Sequence, residues 1–212
     1  MNRLAVGVLF ALSLSAHRLD EYLQATLIGV TPLGIEVAIQ LTPGVAVLPA
    51  VTAVIDRDRD GRISAQEEHD YAARVTREVE LRVDGEPAAL SLMETTFPTL
   101  QAMREGLGTI RLKLRTTRTG HALRFENRHL PQVSAYLVNC LAAPDDGLAV
   151  KRQERDEGQR SIAFEYSFDA GVTPVPLAPW IARGPFWPAA LGMLMVARMA
   201  VLIYRSKIAR GA

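Results

Sequence analysis

A single cysteine, Cys140, excludes any intrachain disulfide in this chain of 212 residues, so the fold must be constrained by something other than a covalent cross-link. An excess of one charge is missing as well. Lys and Arg total 24 against 23 for Asp and Glu, a net charge of +1, which leaves no basic footprint for nucleic acid. The signatures of nucleophilic hydrolases, zinc proteases, P-loop enzymes and dinucleotide-binding enzymes are all absent, and the chain reads as non-enzymatic. Its four histidines, His17, His69, His121 and His129, are scattered. His69 has no second histidine one helical turn on, so it reads as a surface residue. His121 is placed in a turn, and His129, in ENRHLP, in a loop where hydrogen bonding is its expected role. Cys140 falls in an apolar strand as a buried, inert thiol.

Long apolar runs are confined to the two ends. Residues 1–15 carry Arg3 followed by LAVGVLFALSL, the pattern of a secretory signal peptide cut before Ala16, with Ser13 and Ser15 at the small-residue positions. A cut one residue later would leave His17 at the N-terminus. At the other end, FWPAALGMLMVARMAVLIY (186–204) is long enough to cross a bilayer core as a helix. Trp187 and Tyr204 stand at its interfaces, and the basic tail 205–212 marks the cytoplasmic side. Arg198 is the costly residue in this run, close enough to the basic end to snorkel. The proline-rich stretch 171–185 reads as a stiff linker. These features predict a single-pass protein of the inner membrane with its main domain, 16–170, periplasmic.

That domain is patterned for strands. Ile35, Val37, Ile39 and Leu41 alternate with Glu36, Ala38 and Gln40, and the run before Thr31-Pro32-Leu33-Gly34 supplies the other arm of a hairpin. Val79, Leu81 and Val83 alternate up to the Asp84-Gly85 turn, after which ALSLM is expected to return beside them. Ile110 to Arg115, HALRFEN, VSAYLVNCLA, LAVKRQER and Ile162 to Phe168 follow at strand spacing. About nine such strands imply a mainly β fold, an antiparallel β-sandwich. Helical patterning interrupts it over 44–78, where Pro49 suits a first turn and a second helix carries Ala65, Ala72 and Val75 inward.

Between those two helices lies DRDRDGRISAQE, Asp56 to Glu67. Asp56, Asp58 and Asp60 occupy positions 1, 3 and 5 of a twelve-residue loop, and Gly61 at position 6 allows its sharp turn. Arg62 at position 7 would offer its backbone carbonyl, Ser64 at position 9 a water-mediated contact, and Glu67 at position 12 a bidentate carboxylate. An all-oxygen set of this size suits a hard cation, calcium. Ser64 and Glu67 also form a capping box for the exit helix. The loop resembles that of the EF-hand family and matches its pattern at every defined position. Three arginines against four acids leave the loop at −1, and no second such loop accompanies it, which points to weak, structural calcium binding.

A second resemblance covers more of the chain. AHRLDEYLQA (16–25), LTPG (41–44), the calcium loop and ENRHLPQVSAYLVN (126–139) are similar to a group of exported bacterial EF-hand proteins. They also resemble the extracytoplasmic region that precedes some metal permeases of the hydrogenase- and urease-accessory type. The resemblance implies this fold from about Ala16 to Phe168. It does not extend to transport, because the chain has no histidine-rich transmembrane motif. The function these features predict is that of a calcium-binding, membrane-anchored module for an unidentified envelope protein. The alternative is handling of nickel, cobalt or copper through His17 and His129.

Overall fold

A computed structural model describes residues 20–141 and 147–168. The readings made for the signal peptide, the linker, the spanning run and His17 lie outside these residues, and no described helix is long and apolar enough to cross a membrane.

Strands account for 49% of the structure and helices for 19%, which places the chain in the mainly β class. One sheet comprises β1 (Tyr22–Thr31), β2 (Gly34–Pro43), β5 (Ser91–Thr96), β6 (Ile110–Thr116) and β8 (Ser134–Leu141), in the order β5-β6-β2-β1-β8. The other comprises β3 (Val79–Val83), β4 (Glu86–Pro87), β7 (Ala122–Asn127), β9 (Leu148–Arg155) and β10 (Ser161–Phe168), in the order β4-β3-β7-β10-β9. Ile28, Ile39 and Leu112 from the first sheet share one buried core with Leu81, Phe125 and Phe164 from the second. Each such side chain contributes about 2 kcal/mol when fully buried.

The β1–β2 hairpin forms as its alternation predicts, in register from Tyr22↔Pro43 to Thr31↔Gly34. Gly34 is obligatory there. Its φ is +141°, and a Cβ at that position would stand 2.2 Å from the Thr116 carbonyl oxygen. The Asp84-Gly85 turn also forms, with both residues at positive φ, the geometry that joins a two-residue hairpin without splaying its strands.

Two strand expectations need correction. Only Glu86 and Pro87 return beside β3, because the chain then crosses over, and Ser91–Thr96 pairs with β6 in the opposite sheet. Alternation records that a residue faces a core, not which sheet supplies its neighbours. The pairs are also not all antiparallel, since β1 and β8 run parallel from Tyr22↔Ser134 to Gly29↔Leu141.

Helix α1 (Leu48–Ile55) and helix α2 (Ala65–Glu78) connect β2 of one sheet to β3 of the other. Leu48, Val51 and Ile55 form the buried stripe of α1, and Tyr71, Ala72 and Val75 that of α2. Ala65, expected to face inward, is exposed, for it lies in the first turn, before the helix meets the core. A short helix α3 (Leu100–Arg104), capped by Thr99, precedes β6.

Candidate metal centre

The link between α1 and α2 is the acidic loop, and its geometry follows from its own backbone. Helix α1 ends at Asp56, whose N–H bonds to the Thr52 carbonyl at 2.8 Å. The chain then folds back so that the Gly61 N–H donates to Asp56 Oδ2 at 3.0 Å. Asp58 accepts the Asp60 N–H at 3.1 Å, and Asp60 accepts the Arg62 N–H at 2.8 Å. Arg59 and Gly61, at positions 4 and 6, take left-handed φ values of 62° and 81°. Gly61 adopts this conformation freely, whereas Arg59 holds it at a cost of about 1–2 kcal/mol.

These turns gather Asp56, Asp58 and Asp60, with one carboxylate oxygen from each within 4.8 Å of the others. Two oxygens on one calcium stand at most about 5 Å apart, twice its ligand distance, so the three can reach a single ion as they are placed. Asp56 supplies the more pointed observation. The residue is 9% exposed, and its Oδ1 is shut off from solvent with no hydrogen-bond partner. A buried carboxylate oxygen left unpaired is costly, about 1–3 kcal/mol or more, and a cation at the triplet would satisfy it. The donor set is oxygen alone, which fits a hard ion and not a thiophilic one.

Glu67 and Ser64 take up the capping role read for them in the sequence. The capping box forms in full, with Glu67 Oε2 accepting the Ser64 N–H at 2.9 Å and the Ser64 hydroxyl at 2.8 Å. Glu67 Oε1 accepts the Arg57 N–H at 2.8 Å. Glu67 thus lies across the loop but outside the close triplet, and Ser64 is turned to the helix. Arg62 has an exposed side chain, as expected of a residue that would contribute only its carbonyl. Ile63 packs partly against the core and ties the loop to it.

At the far end of α2 lies a polar cluster whose extent the sequence did not reveal. His129 is fully buried. Its Nδ1 bonds to Glu78 Oε2, its Nε2 meets the Tyr71 hydroxyl at 2.8 Å, and Tyr71 in turn meets the Tyr22 hydroxyl at 2.6 Å. The backbone of His129 is held as firmly. Its carbonyl accepts from Gln24 at 2.7 Å and Tyr136 at 2.8 Å, and its N–H donates to Asn127 Oδ1 at 2.9 Å. Burial pushes the His129 pKa down, an effect the Glu78 carboxylate offsets only in part. Burial would raise Glu78, but bonds from His129 and Arg74 outweigh it and hold that carboxyl below its usual range.

The neutral imidazole therefore donates from Nδ1 and accepts at Nε2. The hydroxyls of Tyr71 and Tyr22 then both point toward it, and every member of the chain has a partner. With both ring nitrogens engaged, His129 has none free for a metal. Its expected structural role is the one it fills. His69 is exposed and His121 sits in a bend just before β7, while the Cys140 thiol is buried and its pKa is pushed up to about 12 by that burial.

No family model matches the chain, and no curated protein and no solved structure is significantly similar to it.

Proposed function

We propose that the chain is a calcium-binding β-sandwich of the EF-hand-containing exported type. In this reading it is anchored in the inner membrane through residues 186–204, with its domain periplasmic, and it acts without catalysis as a binding module for an envelope protein. The observation that carries the calcium reading is the solvent-screened, unpaired Oδ1 of Asp56 beside the carboxylates of Asp58 and Asp60. The helix–loop–helix geometry supports it, since α1 and α2 flank a loop with left-handed turns at positions 4 and 6.

The placement of the loop indicates what the ion would do. It sits in the connection between the two sheets, and α2 runs without a break into β3. An ion that fixes the loop fixes the start of α2, whose other end grips His129 through Glu78 and Tyr71. Calcium would thereby perform the constraining role that disulfides perform in other exported domains. The transition-metal reading draws no support from His129, whose ring is fully committed. Calorimetric titration of the purified chain with calcium, magnesium and nickel tests the proposal. It predicts saturable heat for calcium alone near 10⁻⁴ M, on the order typical of extracellular sites; tighter binding of nickel would favour the alternative.

A further inference from the structure

Three arginines stand inside the acidic loop, and none of them is spent on its acids. Arg57, Arg59 and Arg62 are exposed. Among the described residues no guanidinium of the three makes an ion pair or side-chain hydrogen bond, and only the backbone N–H groups of Arg57 and Arg62 are engaged. Elsewhere on the surface arginines do pair, as Arg128 does with Glu80 and Glu126. Arg59 is moreover held at φ 62°, a conformation that disfavours any side chain but glycine's and so calls for a reason. The loop apex is open, for a Cβ at Gly61 would meet no atom within 4 Å.

We propose that the calcium-loaded loop is a docking surface for an anionic phospholipid bilayer, with the guanidinium groups of Arg57, Arg59 and Arg62 on the headgroup phosphates. This inference rests on the calcium reading above. The four acids and three arginines of the loop carry −1, and a bound divalent ion makes that +1. The metal-free loop is thus repelled by an anionic surface and the loaded loop attracted. Guanidinium forks match phosphate oxygens, and three of them spread on an open turn suit an array of mobile headgroups better than one compact anion.

Linkage sets the size of the effect. One basic charge beside an anionic leaflet is worth about fivefold in affinity, so the loaded loop gains that factor at the surface, while the metal-free loop is repelled, stays off the surface and gains nothing. Because coupling is reciprocal, anionic lipid should tighten calcium binding by about fivefold. The test is calorimetric calcium titration of the full chain in nanodiscs of phosphatidylcholine alone or mixed with phosphatidylglycerol. Wild type should bind about fivefold tighter in the mixed discs. The double variant Arg57→Gln, Arg59→Gln should bind calcium in both discs with no such difference, since its loaded loop remains negative.

Four results would overturn the inference. Wild type with equal affinity in the two discs removes the surface and leaves the calcium site standing. A double variant that retains the full difference means that the lipid only concentrates calcium near itself. Inositol hexakisphosphate reproducing the shift in neutral discs makes the partner a soluble phosphate. Absence of calcium binding in every sample brings down both readings together.

Discussion

Glu67 Oε1 accepts the Arg57 N–H at 2.8 Å while its Oε2 accepts the N–H and hydroxyl of Ser64, so one carboxylate joins the entry of the acidic loop to its exit. Bonds from Ser64 lead in holding the Glu67 pKa below the usual carboxylate range, and the group remains an acceptor on both sides. Glutamine offers a single acceptor oxygen, and its amide nitrogen would face a backbone donor. Glu67→Gln is therefore expected to lower the melting temperature of the metal-free protein as well as to remove most of its calcium-induced rise. Thermal denaturation of wild type and variant, with calcium and with chelator, reads both effects.

Arg59 gives a prediction of opposite sign. Its left-handed backbone costs about 1–2 kcal/mol, part of which glycine would recover after its own entropic penalty of about 0.5–1 kcal/mol. Glycine also removes a positive charge from the loop that would hold the ion, worth on the order of 1 kcal/mol at aqueous screening. Arg59→Gly should raise metal-free stability slightly and tighten calcium binding by about fivefold, as measured by calorimetric titration.

The His129 cluster predicts how stability depends on pH. Burial lowers the His129 pKa from 6.5 in the folded protein, so above that value neither state takes the proton and the residue adds no pH dependence. As pH falls below 6.5 the unfolded chain binds a proton that the folded one refuses. Stability then drops by as much as about 1.4 kcal/mol per pH unit until the folded value is reached. Glu78, whose folded pKa is held below 4.5, adds a separate loss below that point. Urea unfolding between pH 8 and 5 should show the first loss, and His129→Gln, though less stable at pH 8, should flatten it.

Tyr71 stands in the middle of the chain of hydroxyls, and Tyr22 at its end. Tyr71→Phe leaves both the Nε2 of His129 and the buried Tyr22 hydroxyl without partners, at a cost of about 2–4 kcal/mol. Tyr22→Phe deprives Tyr71 only of an incoming donor and should cost about 1 kcal/mol. Equal losses in denaturant unfolding would contradict the direction assigned to the hydroxyls.

Much of this architecture was legible in the sequence because its causes are local. Alternation placed β1, β2, β3, β6, β7, β8 and β10, and the spacing of Asp56, Asp58, Asp60 and Gly61 specified a loop whose turns depend on residues no more than five apart. What lay beyond the sequence depends on long-range partners. The crossing of Ser91–Thr96 into the opposite sheet and the parallel pairing of β1 with β8 depend on which sheet edge the chain reaches, which alternation does not encode. The cluster around His129 joins residues from Tyr22 to Tyr136. Its signal was the presence of polar Gln24, Asn127 and His129 within or beside strands otherwise filled by apolar side chains. Glu67 carries two readings at once: one carboxylate suits both a capping box and a metal ligand, and spacing alone cannot say which bonds it makes.

The most direct measurement of the calcium account is the melting temperature of the purified full chain at increasing calcium, with magnesium as the control. An ion bound only by the folded state stabilises it by RT ln(1 + [L]/Kd). At a Kd near 10⁻⁴ M and about 1 mM calcium, that amounts to about 1.4 kcal/mol, a rise of roughly 3–6 °C for a domain of this size. Magnesium, which gives up its water reluctantly, should shift it far less. Asp56→Asn, which halves the acceptor capacity at the buried corner of the loop, should abolish most of the calcium response. A wild-type melting temperature that does not move with calcium, or that moves equally with magnesium and in Asp56→Asn, would contradict the account and leave the loop a capped surface turn.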